Sequence, residues 1–418
     1  MEEIRTACVI SGGGPAGMML GFLLARAGVR VIVLEKHADF LRDFRGDTVH
    51  PSTLRVMKAL GLLDQFLALP HHKFRQMRLD LGDRSVPVAD FGALGAETGF
   101  VAMMPQWNFL DFLADQGRAF PGFDLRMQTR ATGLVLEGDR VAGITAEGPG
   151  GPLRIMADLV VGADGRHSTL RQESGLKVRA FGAPIDVLWF RVSRLDGQTS
   201  ESLGRIDAGR VLVMLNRGDY WQMACVVPKG GFEAIRAEGI AAFRDRIAAM
   251  AHLTPAQAAE ISDWDAVKLL SVTVDRLETW WREGLLFIGD AAHAMSPIGG
   301  VGINLAVQDA VAAANILAGP LRAGRVPGAV LAAVQKRRLW PVRVVQRMQV
   351  LMQDRVIAPQ LAQRRAGPPL PFRLLMRWPW ARRLPAWFIG VGVRPELPDP
   401  LPDPPPDPGP GKPPLQRL

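Results

Sequence analysis

The chain has 418 residues, of which 48% are hydrophobic and 22% charged, and its formal net charge is +9. This balance is typical of a globular protein and excludes a disordered chain, and the length predicts two or three structural units. The two cysteines, Cys8 and Cys225, lie far apart without a CxxC partner, which excludes a disulfide framework or a zinc site built from them. A reducing compartment, the cytoplasm, is therefore expected.

Targeting and membrane-spanning segments are not predicted. The start, MEEIRTACVI, carries no basic segment followed by an apolar core, as a secretory signal would. No uninterrupted run of eighteen apolar residues argues for a spanning helix. The positive charge is interpreted as a solvated, arginine-rich surface, and no nucleic-acid partner is expected.

The N-terminal pattern predicts a βαβ unit with a nucleotide-binding loop. Apolar runs at 7–10 and 30–35 flank a helical stretch, and the loop between them reads GGGPAG. Gly12 permits the tight turn, Gly14 lets the backbone approach a pyrophosphate, and Gly17 allows close packing of helix on strand. The helix start, Pro15-Ala16-Gly17, offers free N–H groups to phosphates.

Glu35 ends the second strand, about 20 residues after the loop, where a carboxylate can bind ribose hydroxyls. Lys36 follows it in the same predicted cofactor-binding set. The ordered strand, loop, helix, strand and acid indicate a dinucleotide cofactor, but this loop alone leaves NAD and FAD unresolved.

The next elements follow in chain order. A helix is predicted over 52–69 with Ser52 as its cap, strands over 74–100, and a helix over 106–119. A hairpin at 133–145 turns at Gly138 and Asp139, and a buried strand covers 158–162. Residues 181–275 are rich in strand patterns with a helical insert at 231–250. A last buried strand, LLFIGD, precedes a helix at 303–318.

The C-terminal region changes in composition. A helical extension is predicted over 346–394, and the proline-rich 395–418 is expected to be flexible. Residues 371–394 alternate arginines with bulky apolar residues, including Trp378, Trp380 and Trp387, which suits a lipid interface. Because Pro379 and Pro385 interrupt a single amphipathic helix, packing on the catalytic domains or at a subunit contact is favoured over membrane contact.

Two further motifs resolve the cofactor. Residues 160–171 read VVGADGRHSTLR, and residues 285–304 read LLFIGDAAHAMSPIGGVGIN. Together with GGGPAG, they resemble the three fingerprints of the flavoprotein aromatic hydroxylases, the para-hydroxybenzoate hydroxylase-like fold, over about residues 5–345. The resemblance implies bound FAD, transient NADPH or NADH, and an α/β fold with a Rossmann-like FAD-binding domain and an inserted β-sheet-rich substrate domain.

The expected division assigns 1–75, 101–180 and 281–345 to the FAD-binding domain, and 76–100 and 181–280 to the substrate domain. The resemblance implies that Asp290 binds the ribityl–pyrophosphate region, and that Asp164 and Gly165 serve both FAD and the nicotinamide. The backbone from Pro297 onward lies beside the flavin ring in this scheme. Further FAD contacts implied by the family pattern are Gly300, Val301, Gly302 and Asn304 at the ring, Arg45 at the flavin, Gln106 at the FAD chain and Ala131 at the adenine.

The substrate side is less defined. His50, in the segment facing the flavin, is a candidate to polarise or deprotonate a phenol, or else a loop histidine bonded to backbone. Arg191 and Tyr220 are candidate substrate contacts, with core packing as the alternative for strand residues. Met295, with Met103 and Met104, suits an adaptable apolar pocket, so a rather hydrophobic substrate is expected. No catalytic metal is predicted.

The resemblance implies that NAD(P)H reduces FAD and that reduced flavin with O₂ forms a 4a-hydroperoxide, which hydroxylates an aromatic or other electron-rich small molecule. Two alternatives stay open: an oxygen-independent FAD reductase of the geranylgeranyl-reductase type, and a flavin-binding scaffold without turnover. Flavin halogenases share the fold, but the WPW at 378–380 lies too late in the chain for their tryptophan motif. The substrate and the oligomeric state are left open.

Overall fold

The computed structural model describes residues 2–41, 48–81, 84–198, 202–207, 209–362 and 378–400. The strands are β1 (Glu2–Ser11), β2 (Val31–Leu34), β3 (Thr48–Val49), β4 (His72–Phe74), β5 (Gln76–Leu81), β6 (Arg84–Asp90), β7 (Val101–Met103), β8 (Phe123–Arg126), β9 (Arg130–Glu137), β10 (Arg140–Gly148), β11 (Gly151–Gly162), β12 (Val178–Ala180), β13 (Ile185–Ser193), β14 (Ser202–Asp207), β15 (Arg210–Asn216), β16 (Tyr220–Pro228), β17 (Lys268–Leu270), β18 (Asp275–Leu277), β19 (Trp281–Arg282) and β20 (Leu285–Phe287).

The helices are α1 (Pro15–Arg26), α2 (Pro51–Ala59), α3 (Leu63–Leu67), α4 (Gln106–Arg118), α5 (Thr169–Glu173), α6 (Phe232–Ala237), α7 (Ile240–Ala251), α8 (Pro255–Ala259), α9 (Gly302–Arg322), α10 (Gly328–Met352), α11 (Ala358–Leu361) and α12 (Arg383–Gly390), with a π-helical turn at Gln353–Ile357 between α10 and α11. The predicted α/β class is confirmed.

The N-terminal βαβ unit lies at the centre of a parallel sheet. β1 pairs in parallel with β2 and with β11, and the parallel order is β20-β11-β1-β2-β8. All four residues of β2 are buried, because alternate side chains enter two different hydrophobic clusters on the two faces. β2 lies on one side of β1 and β11 on the other, so the strand order reverses direction at β1. A ligand crevice is expected at the carboxyl end of the strand where this reversal occurs.

A second sheet has the order β17-β13-β16-β15-β14-β5-β6. On one face, Leu188, Phe190 and Val192 of β13 share a core cluster with residues of α7. On the other face, Val187 and Trp189 belong to clusters that include Ile298 and Ile389. This second face therefore lies towards the 297–304 loop.

The helix α9 is a core helix. The stretch Ile298–Arg322 is long and apolar enough to cross a membrane by length and composition, but 78% of its most apolar window is buried inside the fold. Its first half packs against α1 and the sheet, within the larger of the core clusters. Burial by protein explains its apolar composition.

Two local predictions are wrong. The stretch 52–69 forms two helices, because Gly61 adopts a left-handed φ of 73° and ends the first one. Ser52 is not the cap: α2 starts at Pro51, whose fixed φ suits the first helical position, so His50 becomes the N-cap.

Candidate active site

The glycine loop leaves an open space at the start of α1. A Cβ on Gly12 would lie 2.5 Å from the carbonyl oxygen of Ala163, and one on Gly17 would lie 1.9 Å from that of Gly12. By contrast, no described atom lies within 4 Å of a Cβ on Gly14. No side chain of the described residues caps the first turn of α1. The loop therefore presents uncapped N–H groups to a free volume, which fits a pyrophosphate.

Glu35 lies beside this loop and is 8% exposed. Its carboxylate accepts hydrogen bonds from the backbone N–H groups of Gly13 (3.2 Å) and His37 (3.0 Å). The next residue, Lys36, borders a surface depression of about 530 Å³ that is also lined by His37, Gln128, Arg130, Glu147, Gly148 and Pro149. Ala131 is buried in β9, directly after this lining. A depression next to an acid at the end of β2 fits the adenosine part of FAD.

Two acids follow the neighbouring parallel strands. Asp164 comes after β11, and its Oδ1 is buried without a hydrogen-bond partner among the described residues. Burial raises the pKa of Asp164, against the lowering effect of the nearby Ser168 and Ser11. Asp290 comes after β20 in a 3₁₀ turn, with the Arg166 guanidinium 3.8 Å from its carboxylate. A buried oxygen without a donor fits a site completed by a ligand hydroxyl.

The loop before α9 has a backbone edge that carries few side chains. Gly299 and Gly300 in this loop have left-handed φ values of 80° and 63°, and Gly165 after β11 has one of 84°. No described atom lies within 4 Å of a Cβ on Gly302, and no described side chain caps α9 there. Pro297 opens the loop, and Val301 and Asn304 are nearly buried behind it. A backbone edge of this kind can lie beside a planar ring, and its N–H groups can donate hydrogen bonds to oxygens of the ring.

His50 is buried against this loop. Its Nδ1 lies 3.0 Å from the carbonyl oxygen of Ile389, and because a carbonyl only accepts, Nδ1 carries the proton. Its Nε2 lies 3.5 Å from the position of a Cβ on Gly300 and has no partner among the described residues. Burial lowers the pKa of His50 to about 4, although the hydrogen bond to Ile389 acts in the opposite direction. His50 therefore presents a neutral acceptor near the loop.

Asn304 joins the segment around His50 to the start of α9. Its Oδ1 accepts hydrogen bonds from the backbone N–H of His50 (3.4 Å) and the hydroxyl of Thr53 (3.1 Å). Thr48 donates from its hydroxyl to the carbonyl of Gly300 at 3.1 Å. The structure thus brings His50 together with the predicted residues Gly300 and Asn304.

The other predicted substrate residues lie in different places. Arg191 and Tyr220 stack at 6.0 Å, and Arg191 is exposed at the far end of β13. Met295 is 5% exposed in a core cluster with Trp280 and Leu305. Gln106 is the first residue of α4. Arg45 lies outside the described residues.

Two features were missed by sequence reasoning. The first feature is Trp189, whose indole Nε1 is buried without a partner among the described residues. The sequence signal was the alternation of strand residues, which places Trp189 and Phe190 on opposite faces of β13. Trp189 lies on the face that is turned towards Ile298. The second feature is Ile389, whose carbonyl reaches His50 from α12; no sequence pattern links these distant residues.

The geometry agrees with comparisons to known proteins. Residues 5–348 match the family model described as FAD binding domain. The chain is 35% identical over 354 residues to 6-methylpretetramide 4-monooxygenase from Streptomyces rimosus, covering 84% of each chain. It is 30% identical over 323 residues to 12-dehydrotetracycline 5-monooxygenase/anhydrotetracycline 6-monooxygenase from Streptomyces rimosus subsp. rimosus, covering 74% of this chain and 61% of that relative.

Among solved structures, p-nitrophenol 4-monooxygenase from Pseudomonas putida DLL-E4 aligns with 94% of this chain and 100% of its own. The TM-score is 0.74 at 20% identity, which shows that the two proteins share a fold. The family match supplies the identity of the cofactor. The chain therefore belongs to the FAD-binding domain family of flavoprotein aromatic monooxygenases and is an FAD-dependent oxidoreductase.

Proposed function

We propose that this enzyme hydroxylates a rather hydrophobic, polycyclic aromatic substrate with NAD(P)H and O₂, in the cytoplasm. The observation that carries the proposal is a pair of buried polar atoms without partners among the described residues, His50 Nε2 and Trp189 Nε1. Trp189 belongs to the apolar clusters that include Ile298 and Ile389, and the His50 ring packs edge-on against Phe91 of one of these clusters. Buried polar atoms cost free energy unless a partner satisfies them.

Bound FAD supplies hydride acceptance from NAD(P)H and activation of O₂. The protein's own residues bind and orient the substrate and exclude water. The neutral Nε2 of His50 accepts a hydrogen bond from a substrate hydroxyl and so orients the substrate. Since the pKa of His50 is about 4, this acceptor is neutral at ordinary working pH.

The indole N–H of Trp189 supplies the complementary donor. A substrate that satisfies both groups carries a phenolic hydroxyl and a carbonyl on an extended aromatic skeleton. The surrounding side chains favour such a skeleton, because Phe91, Met103 and Val213 form or contact the apolar cluster next to Trp189. The names of the two related monooxygenases, which give 6-methylpretetramide for one and 12-dehydrotetracycline and anhydrotetracycline for the other, support this substrate class.

The test is NADH and NADPH oxidation, measured together with O₂ uptake, against phenols, polycyclic phenolic ketones and the same polycycles without a carbonyl. We expect the phenolic ketones to stimulate NAD(P)H oxidation most strongly, and formation of the hydroxylated product to require O₂. Trp189→Phe should raise the KM for phenolic ketones by roughly tenfold, as expected for a lost buried donor, and leave that of the carbonyl-free polycycles unchanged. Anaerobic turnover, or FAD that neither nicotinamide reduces, would instead identify a reductase or a scaffold.

A further inference from the structure

A row of buried glutamines lies on the side of α10 that faces the 294–298 segment. Gln346, Gln349 and Gln353 are 2%, 4% and 0% exposed. Their spacing of three and four residues places them on one face of the helix. Core-facing helix positions are usually apolar, because a buried amide costs free energy unless its hydrogen bonds are satisfied. The burial of three glutamines in one row must therefore be explained by the groups to which they are hydrogen-bonded.

Gln349, the central residue, binds the backbone of the loop on both sides of Pro297. Its Nε2 donates to the carbonyl oxygens of Ser296 (2.9 Å) and Ile298 (3.0 Å). Its Oε1 accepts from the backbone N–H of Ser296 at 3.2 Å. The side-chain amide of Gln349 thus satisfies three backbone groups in the segment that directly precedes Gly299 and Gly300.

The flanking glutamines extend this contact in both directions. Gln346 donates to the carbonyl oxygens of Ala294 (3.1 Å) and Asp275 (2.8 Å) and accepts from Arg276 (2.6 Å). Gln353 donates to the hydroxyl of Ser296 at 2.7 Å. The π-helical turn starts at Gln353, and such irregular turns are frequent at functional sites.

The loop itself has few internal restraints. Within 296–300, the described residues form one backbone–backbone hydrogen bond, from Gly300 to Pro297 at 3.0 Å, and one from the Ile298 N–H to the Ser296 hydroxyl at 3.4 Å. Gly299 and Gly300 adopt left-handed conformations, which glycine leaves without steric restraint. Irregular backbone that is buried or half-buried must find partners elsewhere. Here Gln349 binds the carbonyl oxygens of Ser296 and Ile298, and the Thr48 hydroxyl binds that of Gly300.

We propose that Gln346, Gln349 and Gln353, the glutamine ladder, are positioning residues that hold the flavin-facing edge at 297–300 in its binding conformation. The ladder acts through the loop and not by contact with substrate. The inference requires only that this loop faces FAD; the choice of substrate in the proposed function does not enter it.

Gln349→Leu tests the ladder, and Gln335→Leu is the matched control. Gln335 lies on the same helix and makes the same kinds of bond, donating to the carbonyl of Glu278 (2.9 Å) and accepting from the N–H of Trp280 (3.1 Å). Hydrogen–deuterium exchange of the 294–300 segment is measured in the apoprotein and the holoenzyme. FAD affinity, the visible circular dichroism of bound flavin and its midpoint potential are measured on the same samples.

We expect exchange of the 294–300 segment to rise at least about tenfold in Gln349→Leu, with FAD binding weakened by a similar factor and an altered flavin spectrum. Gln335→Leu should leave the exchange of the 294–300 segment and the FAD affinity within about twofold of the wild type and the flavin spectrum unchanged. This holds even where both variants lower Tm. If Gln349→Leu does not fold, Gln353→Leu removes a single hydrogen bond and should show the same pattern at smaller size. Unchanged exchange and flavin spectrum in either folded ladder variant overturn the inference, whether or not any substrate is hydroxylated.

Discussion

The glycines of the nucleotide loop have different physical roles. Gly12 and Gly17 permit backbone contacts within the protein, since a Cβ on either would overlap a carbonyl group. Gly14 has open space around it, so its missing side chain serves the ligand and not the fold. Substitutions at Gly14 and at Gly17 should therefore fail in different ways, one in cofactor binding and the other in folding.

We expect Gly14→Val to give a folded but colourless protein, because the added methyl groups occupy the space assigned to the pyrophosphate. Absorbance of the purified protein measures bound FAD, and thermal unfolding of the apoprotein measures the fold. Gly319→Val is the control, since Gly319 also has no described atom within 4 Å of a Cβ and lies in α9 away from the loop. A yellow Gly14→Val protein with stoichiometric FAD would disprove the assignment.

The buried His50 makes stability depend on pH. Its pKa is lowered from 6.5 to about 4 in the fold, so the unfolded chain binds the proton more readily. The stability conferred by the neutral ring is present above pH 6.5 and is lost as the pH falls from 6.5 towards 4. At about 1.4 kcal/mol per pKa unit, the full loss is roughly 3 kcal/mol.

His50→Asn should remove this dependence, because its amide can donate to Ile389 but does not titrate. Denaturant unfolding at pH 7 and at pH 4 measures the effect. We expect the wild type to lose up to roughly 3 kcal/mol more than the variant between these two pH values. Parallel losses in both proteins would show that His50 is not the titrating group.

At the scale of elements, the C-terminal segment 390–400 is tied to the centre of the fold by buried charges. Asp309 of α9 is fully buried and accepts from Gly289 N–H (3.1 Å) and Arg338 Nε (2.9 Å), with His293 Nε2 at 2.5 Å. Burial alone would raise the pKa of Asp309, but the facing His293 and Arg338 hold it below its ordinary value. Arg338 continues the network to Glu396 at 3.4 Å.

Glu396 also pairs with Arg337 through both carboxylate oxygens, at 2.7 and 2.8 Å. We expect Glu396→Gln to lower the free energy of unfolding by roughly 2 kcal/mol, since charged hydrogen bonds to a nearly buried carboxylate are lost. The same segment follows α12, whose Ile389 orients His50, so kcat/KM should fall further than the loss of folded protein explains.

Denaturant unfolding and steady-state kinetics check both parts of this expectation. Arg118→Ala is the control, because the pair between Arg118 and Asp115 is exposed on both sides and is worth less than about 0.5 kcal/mol. Equal stability of Glu396→Gln and Arg118→Ala would show that the buried network does not anchor the tail.

At the scale of the whole molecule, the tail has an inner face and an outer face. Ala386 and Val391 are buried, and Gly390 lies against Phe91 and Pro51. The outer side exposes Trp378, Trp380, Leu384 and Trp387, at 48%, 64%, 58% and 43%. The part of 371–394 before residue 378 lies outside the described residues. That packing is favoured over membrane contact for this segment stays a prediction, as does the division of the chain into domains.

We expect the holoenzyme to stay in the supernatant when it is sedimented with anionic liposomes at low salt. The inner face already explains why this amphipathic segment exists, and the helix α12 spans only eight residues. A variant with Trp378, Trp380 and Trp387 changed to Gln keeps the inner face and serves as the comparison. Sedimentation of the wild type at low salt but not of this variant would establish a membrane-binding face.

The sequence by itself determined those parts of the fold that are encoded by residues close together in the chain. The strand, glycine loop, helix, strand and Glu35 fall within 35 residues, and turn chemistry and side-chain periodicity suffice to read them. The 160–171 and 285–304 motifs lie at the ends of parallel strands, so their convergence on Gly12 follows from sheet topology. The helix cap at Ser52 was missed because the fixed φ of Pro51 moved the helix start.

Only the tertiary structure decided which polar groups are buried near the 297–304 loop and which tautomer His50 adopts. The tautomer of His50 depends on a carbonyl 339 residues away in α12. The Trp189 N–H, which has no partner among the described residues, and the contacts of the glutamine ladder likewise depend on which elements pack together. Local patterns report which side chains are apolar or polar, but the partner that satisfies a buried polar atom is chosen by long-range packing.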